Sequence, residues 1–227
     1  MFDKVVLITR KTRLDELVER FNTQAQAKFY IEHAGGDFDA YASEHETYRR
    51  SLETVRQAIH VGLKIQILER AFLPTYLFAE TDIVVTLGQD GLVANTAKYV
   101  KGQPILAVNP DPGRFDGILL PLTLDKLQHV LRRALEDQVR IRPITMAEAR
   151  LRDGQRLLAF NDIFLGPRTH ASARYRLTYK ERTENQSSSG IIVSTGAGSS
   201  GWLSSIFNQT SGIVYFLGRQ PIKRVHL

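Results

Sequence analysis

The chain has 227 residues, 43% hydrophobic and 24% charged, which is enough apolar material for one large or two modest domains with a sizeable core. It contains no cysteine, and this excludes disulfides, thiolate nucleophiles and thiolate metal sites. The formal net charge of +6 fits either a mildly basic solvated surface or a cleft for a polyanion, whether nucleotide or nucleic acid.

The opening "MFDKVVLITRKTRLDEL" mixes acids with bases and has no small-residue cleavage site, so no signal peptide is expected. No run approaches about 18 consecutive apolar residues, so no membrane span is expected, and the lack of cysteine leads to the expectation of a cytoplasmic location. "KVVLITR" (Lys4 to Arg10) reads as a buried strand. In "TRLDELVERF", Leu14, Leu17, Val18 and Phe21 share one helical face. "HAGGDFD" (His33 to Asp39) has no apolar strand before it and reads as a surface turn. Ser43 to Ile59 reads as a polar helix opened by Ser43 and Glu46 in capping-box spacing. "LKIQILE", "DIVVTLG" and "PILAVNP" are three more strands, and Thr123 to Glu136 is a helix with Leu124, Leu127, Leu131 and Leu135 in register. Strands alternating with helices predict a parallel α/β sheet.

Past Val139 the texture changes. "VRIRPITMAEARL", "QRLLAFNDIFLG", "ASARYRLTYKE" and "GIIVSTG" are strand-like runs with turn signals and no long helix between them. Alternation places Tyr175, Leu177 and Tyr179 on one face and Arg174, Arg176 and Thr178 on the other. An antiparallel, β-sandwich-like domain over residues 139–227 is therefore expected after an α/β domain over residues 1–138. "ENQSSSG" (Glu184 to Gly190) reads as an exposed loop, and "GIVYFLGRQPIKRVHL" as one further strand-like run that leaves this domain short or truncated. Bases gather at Arg132, Arg133, Arg140 and Arg142 and from Arg168 to Arg182, without the density of a nucleic-acid arm.

Two glycine loops carry the chemistry. In "DIVVTLGQDGLVANTAKYV" a strand runs into Gly88-Gln89-Asp90-Gly91 and then a helix entered at Leu92. Open α/β sheets bind ligands at the carboxyl ends of their strands. Gly88 and Gly91 free the backbone and admit a phosphate, and the helix N-terminus favours an anion. Asp90 makes chemical sense there if it accepts a proton from a hydroxyl or holds a cation that neutralises phosphates. The competing reading is a simple turn. The second loop, in "SSGIIVSTGAGSSGWLSSIF" (Ser188 to Phe207), again runs from strand through glycines to a short helix. Gly196-Ala197-Gly198-Ser199-Ser200-Gly201 matches the dinucleotide fingerprint literally, but no Asp or Glu follows Glu184 to hold a ribose. Arg219 is the residue that would suit a 2′-phosphate in that Rossmann-type alternative.

Three segments together carry a resemblance to the NAD kinase family. "VVTLGQDG" resembles its GGDG motif, "LLAFNDIFLG" its Asn-Glu motif, and "SSGIIVSTGAGSSGW" its DG…STPTGSTAY segment, in the same order and over Asp82 to Ser205. The resemblance implies an α/β domain carrying the Asp loop and a β-sandwich supplying the rest of a dinucleotide site. It implies phosphoryl transfer from ATP or polyphosphate to the 2′-hydroxyl of NAD, assisted by Mg²⁺ or another divalent cation. Asp90 then becomes the general base, with Gly88, Gln89 and Gly91 forming its loop. Asn161, Asp162, Ser199, Ser200, Gly201, Trp202 and Ser205 hold the nucleotide, Trp202 by stacking. The chain departs from the family pattern with Gln89 for Gly, Asp162 for Glu, Ser189 for Asp, and Ala197-Gly198 in the small-residue loop. Alternatives are a nucleotide-binding relative without turnover and a kinase of the same fold with another hydroxyl acceptor. A homo-oligomer with no nucleic-acid or membrane partner is expected. His33, His45, His60, His129, His170 and His226 show no metal-ligand pairing, and neither G-x-S-x-G nor a P-loop occurs.

Overall fold

Strand β1 (Lys4–Thr9) buries its last five residues, and its alternating side chains serve two cores. Val5 and Leu7 join one apolar cluster with Ile83, Val85, Leu87, Leu106 and Val108; Val6 and Ile8 join another with Val84 and Leu92. A strand buried on both faces belongs to a parallel sheet covered by helices on each side. Each such side chain contributes about 1.5–3 kcal/mol on burial.

In the computed structural model, which describes residues 2–218, the chain divides into two compact units, Met1–Ile141 and Arg142–Leu227. Arg219 and His226, singled out above, lie outside the described residues.

After β1 the first unit continues with α1 (Arg13–Phe21), α2 (Gln24–His33), α3 (Phe38–Ala58) and β2 (Lys64–Glu69). A 3₁₀ turn at Arg70–Thr75 leads to β3 (Asp82–Leu87), then α4 (Asp90–Ala97) and β4 (Ile105–Val108). A second 3₁₀ turn, Leu124–Lys126, enters α5 (Leu127–Leu135). The four strands are parallel in the order β2-β1-β3-β4. Tyr48 and Val55 of α3 and Leu127 and Leu131 of α5 pack on one face of this sheet. Leu92 of α4 packs on the other with Leu68 and Leu73. β2 is an edge strand with three of its six residues exposed, and its Lys64 and Gln66 suit an edge that must not pair with another chain.

Two helix boundaries differ from the sequence expectation. The capping box is at α1, where the Thr12 side chain accepts from the Asp15 N–H and the Asp15 carboxylate accepts from the Thr12 N–H. Ser43 and Glu46 lie inside α3, which starts at Phe38 because Asp37 caps it by accepting from the Asp39 N–H. The expected turn at His33 to Asp39 is the α2–α3 connection, with Gly35 at φ 76°.

The second unit is antiparallel. β5 (Ala147–Arg150) pairs with β6 (Arg156–Ala159), β7 (Asp162–Leu165) with β10 (Ile191–Ser194), and β8 (Ala173–Tyr179) with β9 (Arg182–Ser188). Among the described residues these are three separate two-stranded sheets. Of the stretch read as a loop, Glu184 to Gly190, residues Glu184 to Ser188 belong to strand β9, whose polar, mostly exposed residues show no apolar alternation. The stretch Gly212 to Phe216, read as strand-like, is the last part of helix α6 (Trp202–Phe216). Its β-branched and aromatic residues are carried along by a helix already under way from Trp202. Phe160 and Ile163 are this unit's buried hydrophobic residues among those described. Among the described residues no helix is long and apolar enough to cross a membrane.

Candidate functional site

In the first unit the chain leaves β1 towards one side for β2 and returns on the other side of β1 for β3. The reversal makes the carboxyl ends of β1 and β3 the topological switch point, where open α/β sheets hold ligands. Arg10 and Lys11 follow β1, and Gly88 to Asp90 follow β3.

Gly88 is buried, and a Cβ there would lie 2.8 Å from Leu92 Cδ2 and 3.5 Å from Arg10 Cδ. Gly91 is exposed, and a Cβ there would meet nothing within 4 Å. Neither glycine has a positive φ, so the left-handed freedom expected of them is not used. Gly88 is small to fit the helix against the strand, and Gly91 faces open space. Helix α4 begins at Asp90 rather than Leu92, with Gln89 as an N-cap that makes no side-chain capping bond. In its first turn the Leu92 N–H donates to the Gln89 carbonyl, and no capping side chain takes the N–H groups of Asp90 and Gly91. The Asp90 Oδ1 accepts a hydrogen bond from the Leu119 N–H at 3.0 Å. That bond fixes the loop after β4, and it occupies one oxygen of the carboxylate. The same loop is held at its start by Asn109, whose Nδ2 donates to the Phe115 carbonyl and whose Oδ1 accepts from the Asp111 N–H.

Next to this loop stands a cluster that sequence reasoning missed. Glu44 of α3 is only 4% exposed. Its Oε1 receives Arg10 Nη2 at 3.0 Å, and its Oε2 receives Arg13 Nε at 2.6 Å with Arg114 Nη1 at 3.8 Å. Burial alone would push the Glu44 carboxyl up, but the hydrogen bonds from Arg10 and Arg13 outweigh it and hold the group below its ordinary value. Tyr48, one turn along α3, donates its hydroxyl proton to the Leu87 carbonyl and accepts from the Arg10 N–H. Burial pushes the Tyr48 phenol up, so it stays a neutral donor. A cleft of about 790 Å³ opens on the β2 side of β1, lined by Arg10, Lys11, Asp15, His45, Arg49 and Glu69 among others. Gly88 to Gly91 do not line it.

In the second unit the structure brings together the two segments that the sequence singled out. Ser194 pairs with Asp162 across β10 and β7, the Thr195 N–H donates to the Asn161 carbonyl, and the Thr195 hydroxyl donates to the Phe160 carbonyl. The Gly198 N–H donates to Thr195 Oγ1, and a Cβ on Gly198 would sit 2.2 Å from the Asn161 carbonyl oxygen. That spacing explains a glycine there without any ligand. Asp162 Oδ1 is buried with no hydrogen-bond partner, an acceptor in want of a donor. Ser199 donates to the Gly196 carbonyl, Ser200 and Gly201 are exposed, and the Ser205 N–H donates to the Gly201 carbonyl at the start of α6. Trp202 stacks obliquely on Phe164 at 5.7 Å between ring centroids and remains 48% exposed. It is not a core residue.

No protein-family model matches the chain, and no curated protein matches it significantly. The Rossmann alternative loses its structural context: β10, which leads into Gly196 to Gly201, pairs antiparallel with β7 and not within a parallel βαβ unit.

Gly198→Ala is expected to destabilise the second unit by about 1–3 kcal/mol, since the new methyl meets backbone that cannot rotate away. Faster amide exchange in β7 and β10 is the measurement. Gly91→Ala, with open space around it, should leave stability unchanged.

Proposed function

We propose that the protein is a phosphotransferase of the NAD kinase type, moving a phosphoryl group from ATP or polyphosphate to the 2′-hydroxyl of NAD. One observation carries the reading: a carboxylate, Asp90, stands between Gly88 and Gly91 at the first turn of α4, at the switch point of a parallel sheet. A bare anion site would exclude a carboxylate. A site that must take a proton from a hydroxyl beside phosphates needs one.

In this reading Asp90 uses the oxygen not bound to Leu119 to accept the hydroxyl proton. The hydroxyl oxygen attacks the terminal phosphorus, and the bond to the bridging oxygen breaks to release ADP or the shortened polyphosphate. The α4 N-terminus and the open space at Gly91 receive phosphate. In the second unit, the orphaned Asp162 acceptor and the half-exposed face of Trp202 suit a donor group and a planar base, with Asn161, Ser199, Ser200, Gly201 and Ser205 around them. Among the described residues no three or more His, Asp or Glu side chains gather as a metal-binding group. In this reading Mg²⁺ comes in on the donor's phosphates, as is usual for this ion. When bound it neutralises charge on the phosphates.

A different hydroxyl acceptor is the second reading, favoured by Ser189, which is exposed and offers no carboxylate. Incubating the purified chain with Mg²⁺, ATP and NAD should yield NADP. ADP release that requires another alcohol, with no NADP, would transfer the assignment to the second reading. No phosphoryl transfer to any alcohol would remove both.

A further inference from the structure

We propose that Arg10, Arg13 and Arg114, gathered by the buried Glu44, form a binding site for the phosphoryl groups of a nucleotide at the carboxyl edge of the parallel sheet. The inference rests on the function proposed above in naming the phosphates as those of the donor, but the anion site stands on its own geometry.

The three guanidiniums come from three places in the chain: the end of β1, the first turn of α1, and the loop after β4. One carboxylate pairs fully with one guanidinium through two parallel hydrogen bonds. Glu44 instead receives three, two of them on the single oxygen Oε2. Asp111 Oδ2 lies 3.4 Å from Arg114 Nε and offsets part of the charge. Three positive groups against two carboxylates leave an excess of one.

Exposure divides the arginines by task. Arg10 is 12% exposed, pinned by Glu44, the Lys11 carbonyl and the face of Tyr48, and it packs beside Gly88. Its Nε is buried and has no partner. Arg13 and Arg114 have 49% and 32% of their side chains exposed, so their charge reaches solvent at the same edge. Arg13 gives Glu44 its Nε, which leaves the terminal fork out of that bond, and it lies 4.3 Å over the Tyr41 ring. Arg114 is steadied by the Ala40 carbonyl. Arg13, held by its inner nitrogen, keeps its terminal fork out of the Glu44 bond, whereas Arg10 gives its two terminal nitrogens to the Lys11 carbonyl and Glu44, and Arg114 gives Nη1 to the Ala40 carbonyl. A free guanidinium fork matches the oxygens of a phosphoryl group in a way that a lysine cannot. Leu119, in the same loop as Arg114, donates its N–H to Asp90, so the loop that carries Arg114 is tied to the proposed base.

Calorimetry of the full chain with inorganic pyrophosphate at fixed ionic strength tests the site. Wild type is expected to bind, and Arg13→Gln and Arg114→Gln are each expected to weaken binding about tenfold, as loss of a charge-assisted hydrogen bond does. Should Arg114→Gln fail to fold, as a thermal melt would reveal, Arg13→Lys decides: it keeps the charge, loses the fork, and should still weaken binding severalfold with an unchanged melt. No binding by wild type, or equal binding by folded variants, overturns the proposal. Arginine-dependent pyrophosphate binding without NADP formation removes the kinase reading and leaves the anion site. NADP formation with an unchanged KM for ATP in the Arg13→Gln, Arg114→Gln double variant does the reverse.

Discussion

Asp90→Asn is expected to lower the rate of NADP formation by about 10²- to 10⁴-fold, the usual contribution of a positioned general base. The substitution isolates chemistry from folding for a structural reason. The Asp90 Oδ1 serves as acceptor for the Leu119 N–H, and an asparagine carbonyl oxygen can take the same bond. The loop after β4 should therefore stay in place, and a thermal melt should show little change. What Asn cannot do is accept a proton from a hydroxyl. Asp90→Ala makes the contrast, because it loses both the base and the tie to Leu119 and should loosen the loop as well. If the Asn variant turned over as fast as wild type, Asp90 would be a helix-start acid and loop tether, and nothing more.

The parallel sheet was legible because its inner strands are runs of apolar residues too short for helices. β1 and β3 are nearly wholly buried, and β4 buries three of its four residues. α3 was misread at its start for a physical reason. Its buried stripe runs Phe38, Glu44, Tyr48, Ser51, Val55, and two of the five are polar. Ser51 satisfies itself there by donating to the Thr47 and Pro110 carbonyls, and Glu44 by taking arginines. α2 went unseen because only Ala27 and Ile31 are buried, too sparse a signal to set a period. The β8–β9 hairpin turns at Lys180 and Glu181 with Lys180 at φ 55°, where an Asn-Gly or Asp-Gly pair would have announced it.

The two parts of the candidate site differed in the same way. Asp90 was visible because a strand, two glycines and an acid are contiguous. Asn161 and the second glycine loop were visible as local patterns, and β7 pairing with β10 brings them together. The arginine cluster was invisible, since its members run from residue 10 to residue 114 and meet only when the sheet order places β1 beside β3. A charged residue in the middle of the stripe of α3 was the one available hint.

Glu44→Ala is expected to destabilise the first unit by about 3–5 kcal/mol, as when one partner of a buried ion pair is removed. Arg10 is the reason. Its side chain is only 12% exposed and its Nε already lacks a partner, so without Glu44 a charged guanidinium would remain desolvated against Tyr48 and Gly88. Arg13 and Arg114, more exposed, can turn to water and would add little to the cost. Urea unfolding of wild type and variant measures the difference. The pH dependence supplies a second reading of the same bond. The folded Glu44 carboxyl lies below its ordinary value of 4.5, so the unfolded chain takes up the proton first as pH falls. Its stabilisation is complete above that value and is lost as pH falls through the lower folded one. Glu44→Gln, which keeps the shape but carries no charge, should therefore show a shallower loss of stability in acid than wild type. Equal acid slopes in the two proteins would mean that the arginines hold each other in place by packing on Tyr41 and Tyr48 rather than through the Glu44 charge.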